Sequence, residues 1–283
     1  MRLVRRISDR SGTHLGTLRS EGHLLDDVSR KDEYYNRAKQ EGYRARSAYK
    51  LQQIDDIANV ISGGDTVVDL GAAPGGWLQV AADRVGPSGR VVGVDKQRID
   101  PLDHENRNTS TIRGDITDQR TIDRITEEVG DVDVVISDMA PNMTGEYDLD
   151  HARSVHLARQ ALGVAIDVLA PGGEFVAKVF QGRDLDGFRA DVEDPFEYAR
   201  TIVPDASRDS SSEVFLVGRR RIDAPVTEGE NLTVEVTAMG QEGDGIATVE
   251  GYTLFVPDAE VGDSVTVVVD AVKPEYGFTS RLE

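Results

Sequence analysis

Apolar positions in the middle of the chain fall into short runs separated by stretches of helical period. Runs rich in β-branched residues at 66–70, 91–95, 132–137, 173–179 and 213–218 predict strands, with weaker ones at 110–113 and 200–203. Apolar residues three and four apart predict helices over 44–61, 76–85, 119–129, 151–169 and 185–193. Such alternation predicts an α/β fold in which a mostly parallel sheet carries helices on both faces. After "GRRRIDAP" the pattern changes. From about 226 the runs "NLTVEVTAMG", "GIATVEG", "YTLFVP" and "DSVTVVVDAV" are short, β-rich and separated by glycine and aspartate turns. They suit a small closed β-barrel, with the basic run 219–221 and Pro225 at the boundary. Residues 1–30 show no apolar period and read as a loose leader. The expected division is therefore a leader over 1–30, a main domain over 31–222 and a barrel over 225–283.

Composition narrows the chemistry. The 283 residues include no cysteine, which excludes disulfides and thiolate metal sites. Five scattered histidines without zinc-type spacing argue against a metal centre. No apolar run reaches the roughly 18 residues that would span a bilayer, and the first residues lack a signal-peptide core, so the expectation is a soluble, cytoplasmic protein with no membrane partner.

Charge adds a puzzle. The formal net charge is -19, from 32 Lys+Arg against 51 Asp+Glu, a balance that ordinarily argues against nucleic acid as a partner. Multimolar salt, which screens charges over a few ångströms, would make such a surface tolerable and points to a halophilic source. Yet residues 1–50 carry 12 Lys+Arg against 7 Asp+Glu, a net of +5 on an acidic body. Within "KDEYYNRAKQEGYRARSAYKL", Tyr34, Tyr35, Tyr43 and Tyr49 alternate with Arg37, Lys39, Arg44, Arg46 and Lys50. That mixture suits phosphates and stacked bases, and equally an amphipathic helix that packs its tyrosines on the main domain.

The motif "VVDLGAAPGGW", residues 67–77, sets a strand against a glycine-rich turn and a helix start. This arrangement presents backbone N–H groups to a ligand in nucleotide-binding α/β folds, although an ordinary βα turn shares the pattern. The next strand ends at Asp95, placed to accept hydrogen bonds from ribose hydroxyls, and the one after it exits at Asp115, suited to an exocyclic amine. Either aspartate could instead cap a helix. Asp138 follows the fourth strand in "VVISDMAPNMTG". In "GGEFVAKVFQG", Lys178 stands among Phe175, Val176, Val179 and Phe180, an expensive place for a lysine that is neither paired nor used. The last strand opens with Glu213.

Together "RSAYKL", "VVDLGAAPGGW", "SDMAPNMTG" and "LAPGGEFVAKVFQG" resemble the FtsJ/RrmJ (RlmE-type) family of ribose 2′-O-methyltransferases over about residues 31–220. The resemblance implies a Rossmann-like methyltransferase fold and S-adenosylmethionine as cofactor, contacted by Gly75, Trp77, Asp95, Asp115 and Asp138. It implies a catalytic tetrad on Lys50, Asp138, Lys178 and Glu213, with Lys178 either a neutral base or a charged orienting group. It also implies a uridine of 23S rRNA in the large ribosomal subunit as substrate. Ribose methylation of tRNA or of mRNA caps is the nearest alternative, and a non-catalytic RNA-binding assembly factor a more distant one. The segment from about 225 resembles a TRAM domain, an OB-type barrel that binds RNA in other RNA-modifying enzymes, and its presence suggests an archaeal, haloarchaeal-like member. Residues 225–283 carry 2 Lys+Arg against 12 Asp+Glu, so phosphate attraction is not this barrel's main contribution. Tyr252, Phe255, Tyr276 and Phe278 remain for stacking.

The acidic composition yields the first prediction. Dialysis from multimolar salt into low salt should lower the thermal midpoint substantially, measured by circular dichroism; an unchanged midpoint would contradict a halophilic origin.

Overall fold

The computed structural model describes residues 33–102, 108–208 and 211–282. The leader expected over 1–30 lies outside the described residues. Helical residues 33–41 (α1) precede α2 (Ala48–Ala58), and the central elements follow in the order β1 (Thr66–Leu70), α3 (Gly76–Val85), β2 (Arg90–Asp95), β3 (Thr109–Arg113), α4 (Gln119–Val129), β4 (Val132–Ser137), α5 (Tyr147–Val168), β5 (Leu169–Phe180), α6 (Leu185–Glu193), β6 (Phe196–Ile202) and β7 (Glu213–Arg221). The seven strands are ordered β3-β2-β1-β4-β5-β7-β6.

The first five strands in that order run parallel, as the alternation predicts. The last two depart from it: β7 lies antiparallel to both β5 and β6. Among the described residues no helix intervenes between β6 and β7, and a short connection can return the chain only in the opposite direction. The sheet is therefore mostly parallel, as expected. Several boundaries also differ: α2 begins at Ala48 rather than 44 and β6 at Phe196 rather than 200. α5 begins at Tyr147 rather than 151, because the apolar residues of its first turn face solvent instead of the core. β5 begins at Leu169 rather than 173, its pairing with β4 resuming beyond an irregularity that contains Pro171 and Gly172.

Side chains alternate across each strand, and the two faces are buried differently. Val68, Leu70, Phe175, Ala177, Val179, Val214 and Leu216 pack on the side covered by α4, α5 and α6. Val67, Val134, Ile136, Val176, Phe215 and Val217 pack on the opposite side, under α2 and α3. Period two then assigns the polar residues: Asp138 shares a face with Ile136, Lys178 with Val176, and Glu213 with Phe215. All three belong to the α2 side, before any ligand is considered.

The second unit is a curled six-stranded sheet of β8 (Asn231–Glu235), β9 (Ala238–Met239), β10 (Gly245–Val249), β11 (Tyr252–Val256), β12 (Ser264–Val272) and β13 (Tyr276–Arg281), ordered β8-β12-β13-β11-β10-β9. Its two edge strands are successive parts of one bent stretch: Val236 N donates to Asp263 O at 2.9 Å and Thr237 N to Ile246 O at 2.8 Å. The curl encloses Val236, Ala247, Leu254, Val256, Val267 and Val269. Of the four aromatics singled out in the sequence, Tyr252 belongs to this core, its hydroxyl donating to Lys273 O. Phe255, Tyr276 and Phe278 form a separate cluster with ring centroids 5.5–5.7 Å apart.

At the end of the sheet remote from Lys178, Glu174 and Arg219 are buried together, Oε2 and Nε 2.6 Å apart without hydrogen-bond alignment. Burial pushes the Glu174 carboxyl up to about 7, and the Arg219 charge only partly offsets it. An acid whose folded value lies above its unfolded one binds more protons when folded, so its contribution to stability is full at low pH and is lost as pH rises through the folded value. Glu174→Gln should remove this dependence: relative to the variant, the parent should lose about 2–3 kcal/mol between pH 4.5 and 8 in denaturant titrations. Parallel pH profiles would show that Glu174 is not held above its usual range.

Candidate active site

The glycine loop makes a tight exit from β1. Gly71 has φ +79°, and a Cβ there would meet the Met139 side chain; Gly75 has φ +109°, and a Cβ there would meet Arg44 at 3.0 Å. Both positions therefore need glycine for their positive φ and for local packing. Gly75 is the N-cap of α3. The Arg44 guanidinium lies over the loop and donates to Pro74 O, Asp100 O and Pro101 O. Arg44, one of the arginines in the basic segment, is thus engaged by the loops themselves.

Three acids surround this turn. Asp95 at the end of β2 accepts from Ala73 N at 3.0 Å and Gln97 N at 2.7 Å, tying the loop to the second strand. Asp69 in β1 is 1% exposed and its Oδ2 has no hydrogen-bond partner. Burial, reinforced by the charges of Asp138 and Asp95, pushes its carboxyl well above the usual range. Such an orphaned acid is relieved by a cationic or hydrogen-bond-donating group, so the turn is complementary to a positively charged ligand. Sequence reasoning missed Asp69 because a single acid inside "VVDL" reads as part of an apolar run; its signal was a charge at a position buried on both sides. Asp115 sits farther out. Its carboxylate meets Lys96 Nζ at 2.9 Å and accepts from Thr117 N and Oγ1, and the Lys96 hydrogen bond followed by the Thr117 N–H holds it below its usual value. The helix-capping role falls instead to Asp118, which accepts from Arg120 N at the start of α4.

The tetrad residues meet as two ion pairs. Lys178 Nζ lies 2.8 Å from Asp138 Oδ1 and 2.6 Å from Asp138 O. Lys50 Nζ lies 2.5 Å from Glu213 Oε1 and 5.8 Å from the Phe215 ring centroid. Burial alone would push the Glu213 carboxyl up, but the charge and hydrogen bond of Lys50, with the Lys178 charge beyond, hold it below its usual value. All four are largely removed from solvent, with side-chain exposures from 7% for Lys178 to 18% for Asp138. Removing one partner of a buried pair costs about 3–5 kcal/mol because it strands the other charge.

Trp77 seats the helix that brings Lys50. Its indole N–H donates to Ser47 O at the N-cap of α2, and its ring, 2% exposed, packs on Phe215 at 5.7 Å. The surrounding tyrosines also pack on the domain: Tyr49 is buried, lies 5.4 Å from Tyr34 and 5.6 Å from Tyr43, and donates to Glu41, while Tyr35 is 61% exposed.

The opening turn of α5 holds the neighbouring loops, a role the sequence did not announce. Asp150 accepts from Thr144 N, Thr144 Oγ1 and Gly145 N. His151 is buried, its Nδ1 3.0 Å from Phe180 O and its Nε2 accepting from Asp184 N, and a Cβ at Gly182 would strike its ring. Ser154 Oγ accepts from Phe180 N.

Comparison with known proteins fits this geometry. The FtsJ-like methyltransferase model matches residues 43–221 and the TRAM domain model matches 225–280. A ribosomal RNA large subunit methyltransferase E from Halorubrum lacusprofundi is 64% identical over 90% of this chain and 95% of its own length. The protein of the same name from Natronomonas pharaonis is 61% identical over 90% of this chain and all of its own. The crystal structure of a ribosomal RNA methyltransferase from Plasmodium falciparum superposes with a TM-score of 0.56 at 24% identity, covering 63% of this chain and 98% of that one, which supports the Rossmann-like fold. Halophilic relatives also account for the acidic surface. Because the family match spans the glycine loop and all four residues of the two ion pairs, and the relatives are this similar along nearly their whole length, the chain belongs to the FtsJ-like methyltransferase family.

Proposed function

We propose that this protein methylates the ribose 2′-oxygen of a uridine in 23S rRNA of the large ribosomal subunit. The observation that carries the proposal is the convergence of Lys178–Asp138 and Lys50–Glu213 on one face of the sheet, beside the glycine turn. The substrate class is that named for the relatives over nine-tenths of this chain. The basic segment ahead of α2 supplies positive charge next to the site, although the molecule as a whole is acidic.

S-adenosylmethionine supplies an electrophilic methyl group on a cationic sulfur. The residues that would hold it are the turn at Gly75, with Asp69 and Asp138 facing its cationic end and Asp95 its ribose hydroxyls; Asp115 would share its carboxylate between Lys96 and the adenine amine. Trp77 acts from beneath, by fixing α2. A lysine ammonium has three N–H donors, and Lys178 directs two toward Asp138, leaving one for the substrate hydroxyl. That hydrogen bond aims an oxygen lone pair at the methyl group. Transfer of the methyl group to the un-ionised hydroxyl would break its bond to sulfur, releasing a neutral thioether and leaving a protonated ether, a strong acid whose proton the adjacent Asp138 carboxylate would take. The ion pair with Asp138 favours this charged, orienting role for Lys178 over that of a neutral base. Lys50 and Glu213 stiffen the opposite wall of the site.

Lys178→Ala should lower turnover by about 10²–10⁴-fold while leaving S-adenosylmethionine affinity nearly unchanged, measured by methyl transfer to large-subunit particles and by calorimetry. Turnover near the parent value would contradict the assignment, and faster transfer to bulk tRNA than to large-subunit RNA would redirect the substrate.

A further inference from the structure

The end of the β4–α5 loop and the first turn of α5 expose apolar surface that folding does not require. Met143 is 64%, Tyr147 58% and Leu149 39% exposed, all within seven residues on a chain of net charge -19. Solvated apolar side chains concentrated in one short segment mark a binding surface more often than a neutral one. The segment is also built rather than loose. The Asp150 carboxylate accepts two backbone N–H groups and the hydroxyl of residues 144–145, Glu146 N donates to Thr144 Oγ1, and Tyr147 Oη donates to Gln181 O at 2.6 Å. A surface held in place before its ligand arrives avoids the ordering cost of binding.

Its position names the ligand. Asp138, which pairs with Lys178, lies five residues before Met143, and Gln181, which anchors Tyr147, lies three after Lys178. Tyr147 thus ties the segment that follows β4 to the end of β5, the two strands that lead to the reacting pair. Met139, at the start of the same loop, turns the other way and packs against Gly71 in the glycine turn. The loop therefore separates a donor side from an outer side. Glu146 and Asp148, exposed in the same segment, would repel a phosphate strand, so the outer side suits the uncharged face of a base rather than the RNA backbone.

We propose that Met143 and Tyr147 form a platform on which the base of the target nucleotide stacks, positioning its ribose at Lys178. This rests on the ribose-methylation reading above and adds to it the residues that read the nucleotide being modified. Sequence-tolerant stacking holds a base out of its neighbours without fixing its identity.

The test uses the full chain and two synthetic RNA hairpins containing the nucleotide that the parent methylates, one intact and one lacking only that nucleotide's base, with the 2′-hydroxyl retained. On intact RNA, the Met143→Ala/Tyr147→Ala double variant should raise KM by about 10-fold or more, with kcat and S-adenosylmethionine affinity within about twofold. Tyr147→Phe, which keeps the ring and loses the bond to Gln181, should retain most of the affinity. On the abasic RNA, parent and double variant should have equal KM. An unchanged KM on intact RNA, or an equal loss on abasic RNA, would overturn the platform while leaving ribose methylation standing. A parent that methylates no ribose in the intact hairpin would overturn the functional reading and the platform with it.

Discussion

Four charges share a small volume at one edge of the central sheet, and their arrangement as two ion pairs governs what the site can be. Lysines in a setting this dry are costly unless each has a carboxylate in contact. Lys178 has Asp138 and Lys50 has Glu213. The pairing also explains why α2 belongs to the site: without Lys50, Glu213 would be a buried charge with no direct partner. Trp77 beneath the helix and Phe215 beneath the lysine keep that helix in register with the sheet.

The same electrostatic logic extends to the donor side. Asp69, Asp95 and Asp138 approach the glycine turn from three adjacent strands, and burial leaves the first of them without a hydrogen-bond partner. Burial, reinforced by the neighbouring acids, pushes the Asp69 carboxyl upward, so a hydrogen-bond donor or a cation beside it would bind with gain. Balanced pairs stand where a neutral hydroxyl would be activated. The acidic outer surface is a separate matter. The barrel adds little positive charge, because of its two basic residues Lys273 is paired with Glu197 and Arg281 donates to Asp258 O.

Much of this was legible before any coordinates. A lysine inside an apolar strand and an acid opening the last strand break the hydrophobic pattern, but that Lys178 and Glu213 share a face follows only once Val176 and Phe215 are seen to pack on the α2 side. The glycine turn was legible for the same reason: its departure from ordinary side-chain composition has a steric cause at Gly71 and Gly75. What stayed hidden depends on contacts between distant segments. The antiparallel course of β7 follows from the connection behind it, which carries no periodic signal. Asp150 and His151 act by gripping residues 144–145 and 180–184, and a buried histidine in a helix has no sequence mark that separates it from a solvated one. The division of Tyr34, Tyr43 and Tyr49 from Tyr35 likewise became visible only once α1 and α2 were packed together.

The two ion pairs are proposed to surround the sugar oxygen being methylated. A crystal structure of the full chain with S-adenosylhomocysteine and the unmodified RNA hairpin tests it most directly. The predicted result is the target 2′-oxygen within about 2.6–3.2 Å of Lys178 Nζ, with the cofactor sulfur in line behind it. A ribose bound away from Lys178, or a cofactor whose sulfur faces away from the two pairs, would contradict it.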